Sequence, residues 1–302
     1  MNGLSNMASP VIVPDLALAE QLITLSPEIS GKTEFRAGVS SRSRVLVDLP
    51  SFAKDSEGRP EGKNFTIDFF LGPGACVDVF YILKEAENVF AKVRYHLKKH
   101  ATLNVWSYVG GGDFVHLGQE VIFKEEHGFA SFRGLTIIGG SSQVYHKVKA
   151  AHTVGHCISR QFFKSIVSGK AKSVFESLVS VSKDAAGSYS KQLNKNLILS
   201  REARCHSRPE LRIQTDDVSA AHGSATGELN PAELFYLRSR GISEEQARFM
   251  MIEGFAAEIV DEVSYALLQD SWRELVKKRT AELIVQSVEY VIPAKAGINP
   301  IA

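Results

Sequence analysis

Cysteine is scarce in this chain. Cys76, Cys157 and Cys205 are its only three and none is spaced as CxxC, which excludes a disulfide framework and a zinc ribbon and fits a reducing, cytoplasmic setting. Long apolar runs are missing too, so no segment reaches the ~20 residues that span a bilayer. Pro10, Pro14 and Asp15 interrupt the early apolar residues and remove the continuous stretch a signal peptide needs. Neither charge sign is in excess: 35 basic and 34 acidic residues leave +1, which gives no electrostatic reason to expect nucleic acid or a membrane as partner. The mild asymmetry lies between Pro231 and Tyr290, where 7 basic and 11 acidic residues give −4. GxxxxGK followed by Ser or Thr occurs nowhere, and Gly110-Gly111-Gly112 runs into Asp113 without a lysine, so direct ATP binding is not expected.

What is present, over residues 32–228, is a succession of short β-type runs broken by turn residues: RVLVDL, FTIDFFL, VDVFYIL, TLNVWSYV, EVIFKE, GLTIIGG, QVYHKVKA, QFFKSIV, SVFESLVSV, NLILS and PELRI. Many strands with few helical periods define a mainly β protein. A sandwich and a solenoid both suit these runs, because no crisp repeat period stands out. Before them, Leu16 to Leu25 has near-helical apolar spacing and predicts a short helix within an N-terminal segment, residues 1–31.

After Gly227 the period changes to helical. Asn230 before Pro231 is an N-cap followed by a residue suited to the first turn, and Gly241 supplies a stop. Ser243 with Gln246 forms a capping box, after which Ala247, Met251, Phe255, Ile259, Val263 and Leu267 recur every four residues as one apolar stripe. A further helix is predicted from about Ser271 to Tyr290, carrying Trp272, Leu275, Val276, Leu283 and Ile284. Residues 229–290 thus form a C-terminal helical region, and 291–302, with Pro293, Gly297 and Pro300, a disordered tail.

His222 is the foremost candidate for chemistry, set after Asp216-Asp217 in a small-residue turn with Ala220, Ala221, Gly223 and Ser224; its surroundings suit a base or a metal ligand. His156-Cys157 and Cys205-His206 are two further pairs of soft ligands, although neighbours on a strand face opposite ways and a buried cysteine behaves as a small apolar residue. Asp216 and Asp217 read as a strand-to-turn transition with Asx capping. His96, His100, His116, His127 and His146 lie in polar alternation and receive no role. Lys92, Arg94, Lys98 and Lys99 read as a solvated strand face.

The run Asn196–Ser200, Pro209-Glu210-Leu211, Asp216-Asp217-Val218, His222-Gly223, Gly227 and the ungapped Phe235–Ile242 together resemble the core of the SufB/SufD family of iron–sulfur cluster assembly proteins. The resemblance implies a right-handed parallel β-helix core followed by C-terminal helices. It implies a non-catalytic scaffold that works with an ABC-type ATPase, SufC, which carries the ATPase activity, and with a SufB-like subunit. ATP-driven dimerisation of the ATPases would strain the paired β-helices and expose ligands for a transient iron–sulfur cluster. SufC docking is implied for Phe235, Tyr236, Leu237, Arg238 and Arg240. The chain departs from the family pattern: Ala220 stands at the cysteine of the SufD-like DDVxCxHG segment, Ala203 at a SufB-like cysteine, and Ala221-His222-Gly223 replaces a SufB-like Glu-His-Glu. It is therefore nearer SufD, with His222 and Cys205 as candidate metal ligands. The alternatives are a SufBD homodimer that forms the whole scaffold, a cluster-inactive paralogue that only organises the ATPase, and a metal- or Cys/His-dependent enzyme.

Overall fold

The computed structural model describes residues 11–13, 18–25, 32–47, 63–84 and 86–289. Strands are numbered along the chain and fall alternately into two sheets. The odd sheet holds β1 (Val11–Val13), β3 (Lys32–Ala37), β5 (Lys63–Leu71), β7 (Ala86–Leu97), β9 (Gly112–Phe123), β11 (Gln143–His152), β13 (Lys172–Val181) and β15 (Arg204–Ile213). The even sheet holds β2 (Leu18–Leu25), β4 (Arg42–Val47), β6 (Cys76–Leu83), β8 (Thr102–Val109), β10 (Phe129–Ile138), β12 (Ile158–Val167), β14 (Ser188–Ile198) and β16 (Val218–Gly227). Each strand pairs in parallel with the strand two further on, as in Gln143 with Lys172 and Ile158 with Tyr189. The chain is thus a parallel β-helix with one strand in each sheet per turn.

The repeat is hidden in the sequence because turn lengths differ. Partners lie 26 residues apart where Cys76 meets Thr102 but 32 apart where Lys172 meets Arg204. Inward side chains of early turns stack as aromatic and branched residues: Phe35 on Phe69 at 5.2 Å and Phe69 on Tyr95 at 5.1 Å. Two inward positions show how tight this packing is: a Cβ on Gly134 would lie 2.2 Å from the Phe163 ring, and one on Gly128 2.7 Å from Phe123.

Later turns change character inside. His152 Nε2 lies 2.8 Å from Ser159 Oγ, which lies 2.9 Å from Ser190 Oγ. Ser165 and Ser173 bond at 2.9 Å, and Ser177 bridges Gln161 and Gln192. A stack of turns must end somewhere, and the polar interior lowers the cost of leaving its last turn uncovered.

Two helix predictions are corrected. Leu18–Leu25 is a strand paired with β4, its register shifting between Leu18 and Leu22; the helix-like spacing yields to the ladder that a neighbouring turn offers. The four-residue stripe does not survive as one face. Helix α1 spans Pro231–Ser239, α2 Glu244–Val260 and α3 Ala266–Glu289. The buried face of α2 is Ala247, Ile252, Ala256, Ile259 and Val260, whereas Leu267 lies 69% exposed in α3. Four residues advance a helix by a turn plus about 40°, so a strict period of four drifts off any single face. The caps are as expected: Ala232 N donates to Asn230 Oδ1 at 2.9 Å, Gln246 N to Ser243 Oγ at 3.2 Å, and Gly241 takes φ +87°.

Helices α2 and α3 lie on the outer face of the even sheet. Phe80, Trp106, Tyr108, Leu135, Ile137, Ile166 and Leu197 of the sheet pack there with Ile252, Ile259, Trp272, Val276 and Leu283. The helix predicted near residue 271 begins at Ala266 and carries the fully buried Trp272. The predicted tail lies outside the described residues. No helix among the described residues is long and apolar enough to cross a membrane.

Candidate functional site: the open last turn and the helix beside it

Strand β15 ends the odd sheet and β16 ends the even one. No residue of either is buried. His222 sits in mid-strand, not in a turn, and pairs with the inward Gln192 of β14. Serine, alanine and glycine carry little strand propensity of their own, but β14 supplies a complete ladder for Val218–Gly227. His222 therefore faces the interior side of the last turn, yet is exposed because no further turn covers it.

Cys205 also faces inward, half-buried against the core and paired with Ser173. Burial pushes its thiol up to about 11, so at neutral pH it is a thiol and not the thiolate that binds metals. The Ser165–Ser173 contact across the interior, with Ser165 paired to Asn196 and Asn196 to Thr226, puts Cys205 level with Thr226. His222 is four residues back along β16, about 13 Å at the rise of a strand. Cys157 is buried at the opposite end of the turns, donating to Gly155 O. His206 and His156 are exposed, each on the other side of the chain from its neighbouring cysteine. These cysteine and histidine candidates thus do not converge, and among the described residues no three His, Cys, Asp or Glu side chains cluster as a metal site.

Asp216 and Asp217 form the exposed link from β15 to β16, where their carbonyls accept from Val218 N at 3.1 Å and Gly187 N at 2.8 Å. His100 and His127, read from the sequence as strand alternation, lie in turns with φ 57° and 61° and stack at 5.0 Å, with His156 following at 5.2 Å. Left-handed turn positions at three successive coils leave no periodicity to read when coil lengths vary.

Helix α1 has no buried residue. Phe235 is 74% and Tyr236 57% exposed, Leu237 is half-buried, Arg238 pairs with Glu244 at 3.3 Å and the Arg240 guanidinium stands 5.2 Å from the Tyr236 ring centre. Beside them Ala232, Glu233, Tyr236, Leu237 and Met251 line an open, mainly apolar cleft of about 440 Å³. Aromatic residues with arginine beside them have the composition of an interface anchor.

One contact missed in the sequence ties these helices to the solenoid. Lys164, on the outer face of β12, has a fully buried side chain whose Nζ donates to Phe255 O at 2.6 Å, pairs with Glu258 at 3.0 Å and stands 4.0 Å over the Phe255 ring. Burial pulls the lysine below its usual range and Glu258 opposes that shift. The burial of this lysine gives no sequence signal because its partners lie ~90 residues away, on an element whose docking is tertiary.

A parallel β-helix with an open terminal turn and a helical flank is thus the class that fold and site define. Residues 33–255 match the family described as SUF system FeS cluster assembly, SufBD core domain. The chain belongs to the SufB/SufD family. It is 33% identical over 234 residues to an iron–sulfur cluster assembly SufBD family protein of Synechocystis, covering 74% of this chain and 49% of that protein. It is 40% identical over 110 residues to Escherichia coli SufD, 36% of this chain and 26% of that one. With Bacillus subtilis SufD it shares 32% over 149 residues, 49% of this chain and 31% of that one. The chain therefore spans about half the length of the cyanobacterial relative and less of the two SufD proteins.

Proposed function

We propose that the chain is a SufD-like, non-catalytic scaffold in iron–sulfur cluster assembly that binds a SufC-type ATPase through α1 and pairs through its last turn with a SufB-like subunit. Family membership supports the assembly role. The observation that carries the division of labour is the pair of unburied surfaces at one end of the molecule: the α1 face with Phe235 and Tyr236, and the open edges of β15 and β16. Unpaired strand edges are templates for another chain, and β16 is the better one. Its sequence VSAAHGSATG has no lysine, arginine, aspartate or glutamate, whereas β15 carries Arg204, Arg208, Glu210 and Arg212.

The cluster is cargo in this reading. His222 can offer it one imidazole nitrogen from the edge strand, and one ligand does not hold iron, so the remaining ligands come from the paired subunit. With Ala220 in place of the family cysteine and Cys205 protonated and about 13 Å along the turn, this chain contributes less to the cluster than its partner does. ATP-driven closure of the ATPases pulls on α1, and Lys164 hands the movement from α2 to β12, two strands from the β16 edge.

The test is co-purification with a SufC-type ATPase and a SufB-type subunit, using point variants. Deleting the helices would uncover Trp106, Tyr108 and their neighbours and confuse loss of docking with loss of fold. Phe235→Ser with Tyr236→Ser should abolish ATPase binding and leave the melting temperature unchanged. His222→Ala should keep the complex and lower reconstitution of the cluster. An intact complex in the double variant would overturn the docking face, and full reconstitution by His222→Ala would leave a chain that only organises the ATPase. A stable dimer of this chain alone, unaffected by the SufB-type subunit, would replace the heteromer with a self-paired scaffold.

A further inference from the structure

The two outer faces of the solenoid differ. Helices cover the even sheet, while the odd sheet has no layer on it among the described residues, and its outward side chains are mostly half-buried or exposed, with Asp68 and Val174 buried. On β7, β9 and β11 that bare face carries an aromatic ladder: Phe90 stacks on His116 at 4.3 Å and lies 6.3 Å from Phe114, which lies 5.3 Å from Tyr145. Lys172 stands 5.6 Å from the Tyr145 ring centre. Phe90 is 43% exposed, among the most exposed large apolar residues of the described solenoid.

The same face is basic. Outward positions of β7, β9, β11 and β13 hold five lysines and arginines against two glutamates, a net of +3 on a chain whose total is +1. Several of these charges meet a glutamate, as Lys149 does Glu120 at 2.7 Å and Lys147 does Glu176 at 3.7 Å. Exposed pairs of this kind contribute little, being screened by solvent and salt, so they do not hold the face against a partner that brings better-placed carboxylates. An excess of one sign on a single face of a nearly neutral chain is an electrostatic footprint.

We propose that the bare face of the odd sheet docks an acidic protein segment, a carboxylate-rich stretch with an aromatic or aliphatic anchor that seats on Phe90, Phe114 and Tyr145 while Lys92, Lys147 and Lys172 meet its charges. Nucleic acid fits less well. Bases need open ring faces to stack on, and the rings here spend their faces on one another along the ladder. The surface is separate from α1 and from the last turn, so a partner held here leaves both uncovered.

The probe is a fluorescein-labelled 16-residue peptide rich in glutamate with one central phenylalanine, titrated by anisotropy into the full chain at low and at physiological salt. Saturable binding is expected, weakened at least tenfold by Lys92→Glu with Lys147→Glu and Lys172→Glu, weakened several-fold by Phe90→Ser, and accompanied by slower amide exchange on β7–β13. Circular dichroism melts of both variants check the fold. Equal binding by wild type and the charge-reversed chain would overturn the proposal. So would tighter binding of oligothymidylate, which would make the face a nucleic-acid platform, or concentration-dependent self-association lost in the variants, which would make it a contact between copies.

Discussion

Replacing Lys164 tests how the helices are fastened to the solenoid. The side chain is fully buried, and its charge is held by Phe255 O at 2.6 Å, Glu258 at 3.0 Å and the Phe255 ring at 4.0 Å. Lys164→Ala deletes three methylenes from a packed interface, about 2 kcal/mol at ~0.8 each. It also removes a hydrogen bond from a charged donor, about 1.5–3 kcal/mol, for a total near 4 kcal/mol. Lys164→Met keeps the stem and removes only the charge. Apolar replacements of buried ions are often close to neutral, because the desolvation penalty goes with the ion, and Lys195 remains on Glu258 at 3.1 Å, so the methionine variant should lose about 1–2 kcal/mol. The two tryptophans of the chain, Trp106 and Trp272, both lie in the interface between the even sheet and the helices, so tryptophan fluorescence during urea unfolding reports this contact. At an m-value of about 3 kcal/mol/M, the alanine variant should move the midpoint down by about 1.3 M and methionine by less than half of that. Equal losses in the two variants, or an alanine midpoint within 0.2 M of wild type, would show that Lys164 neither fills the interface nor carries its charge into it.

Two further outcomes follow from buried groups. Burial holds His146 and His152 down to about 4, below the ~6.5 of an unfolded histidine. The unfolded chain therefore binds protons that the folded chain refuses. Stability should be fully present above pH 6.5 and fall as pH drops toward 4, by up to about 3 kcal/mol per histidine; denaturation midpoints that stay flat from pH 7 to 5 would contradict it. Trp272→Ala should cost about 3–5 kcal/mol, since the indole is fully buried with Tyr108 at 5.7 Å. A cost below 1 kcal/mol, read from thermal melts, would mean that α3 is not fastened to the even sheet.

The sequence by itself determined the local choices. Short apolar runs with turn residues set a β-rich core, Asn230, Pro231, Gly241 and Ser243 set where helices start and stop, and the motif series from Asn196 to Ile242 marked the family; in each case the deciding interactions lie within a few residues. The strand nature of Leu18–Leu25 and of Val218–Gly227 was not legible, because a neighbouring turn 24 or 30 residues away supplies the ladder that makes them strands. Tertiary structure also decided which candidates meet. His222 and Cys205 both face the inside of the last turn yet stand apart along it, because their positions are set by register across two sheets and not by their separation in sequence. It decided, too, that Lys164 is buried and Phe235 exposed, against what their side chains alone would favour. A lysine goes inside only where a carbonyl and a carboxylate from a distant helix receive its charge, and a phenylalanine stays outside only where the helix that carries it has no face turned to the core.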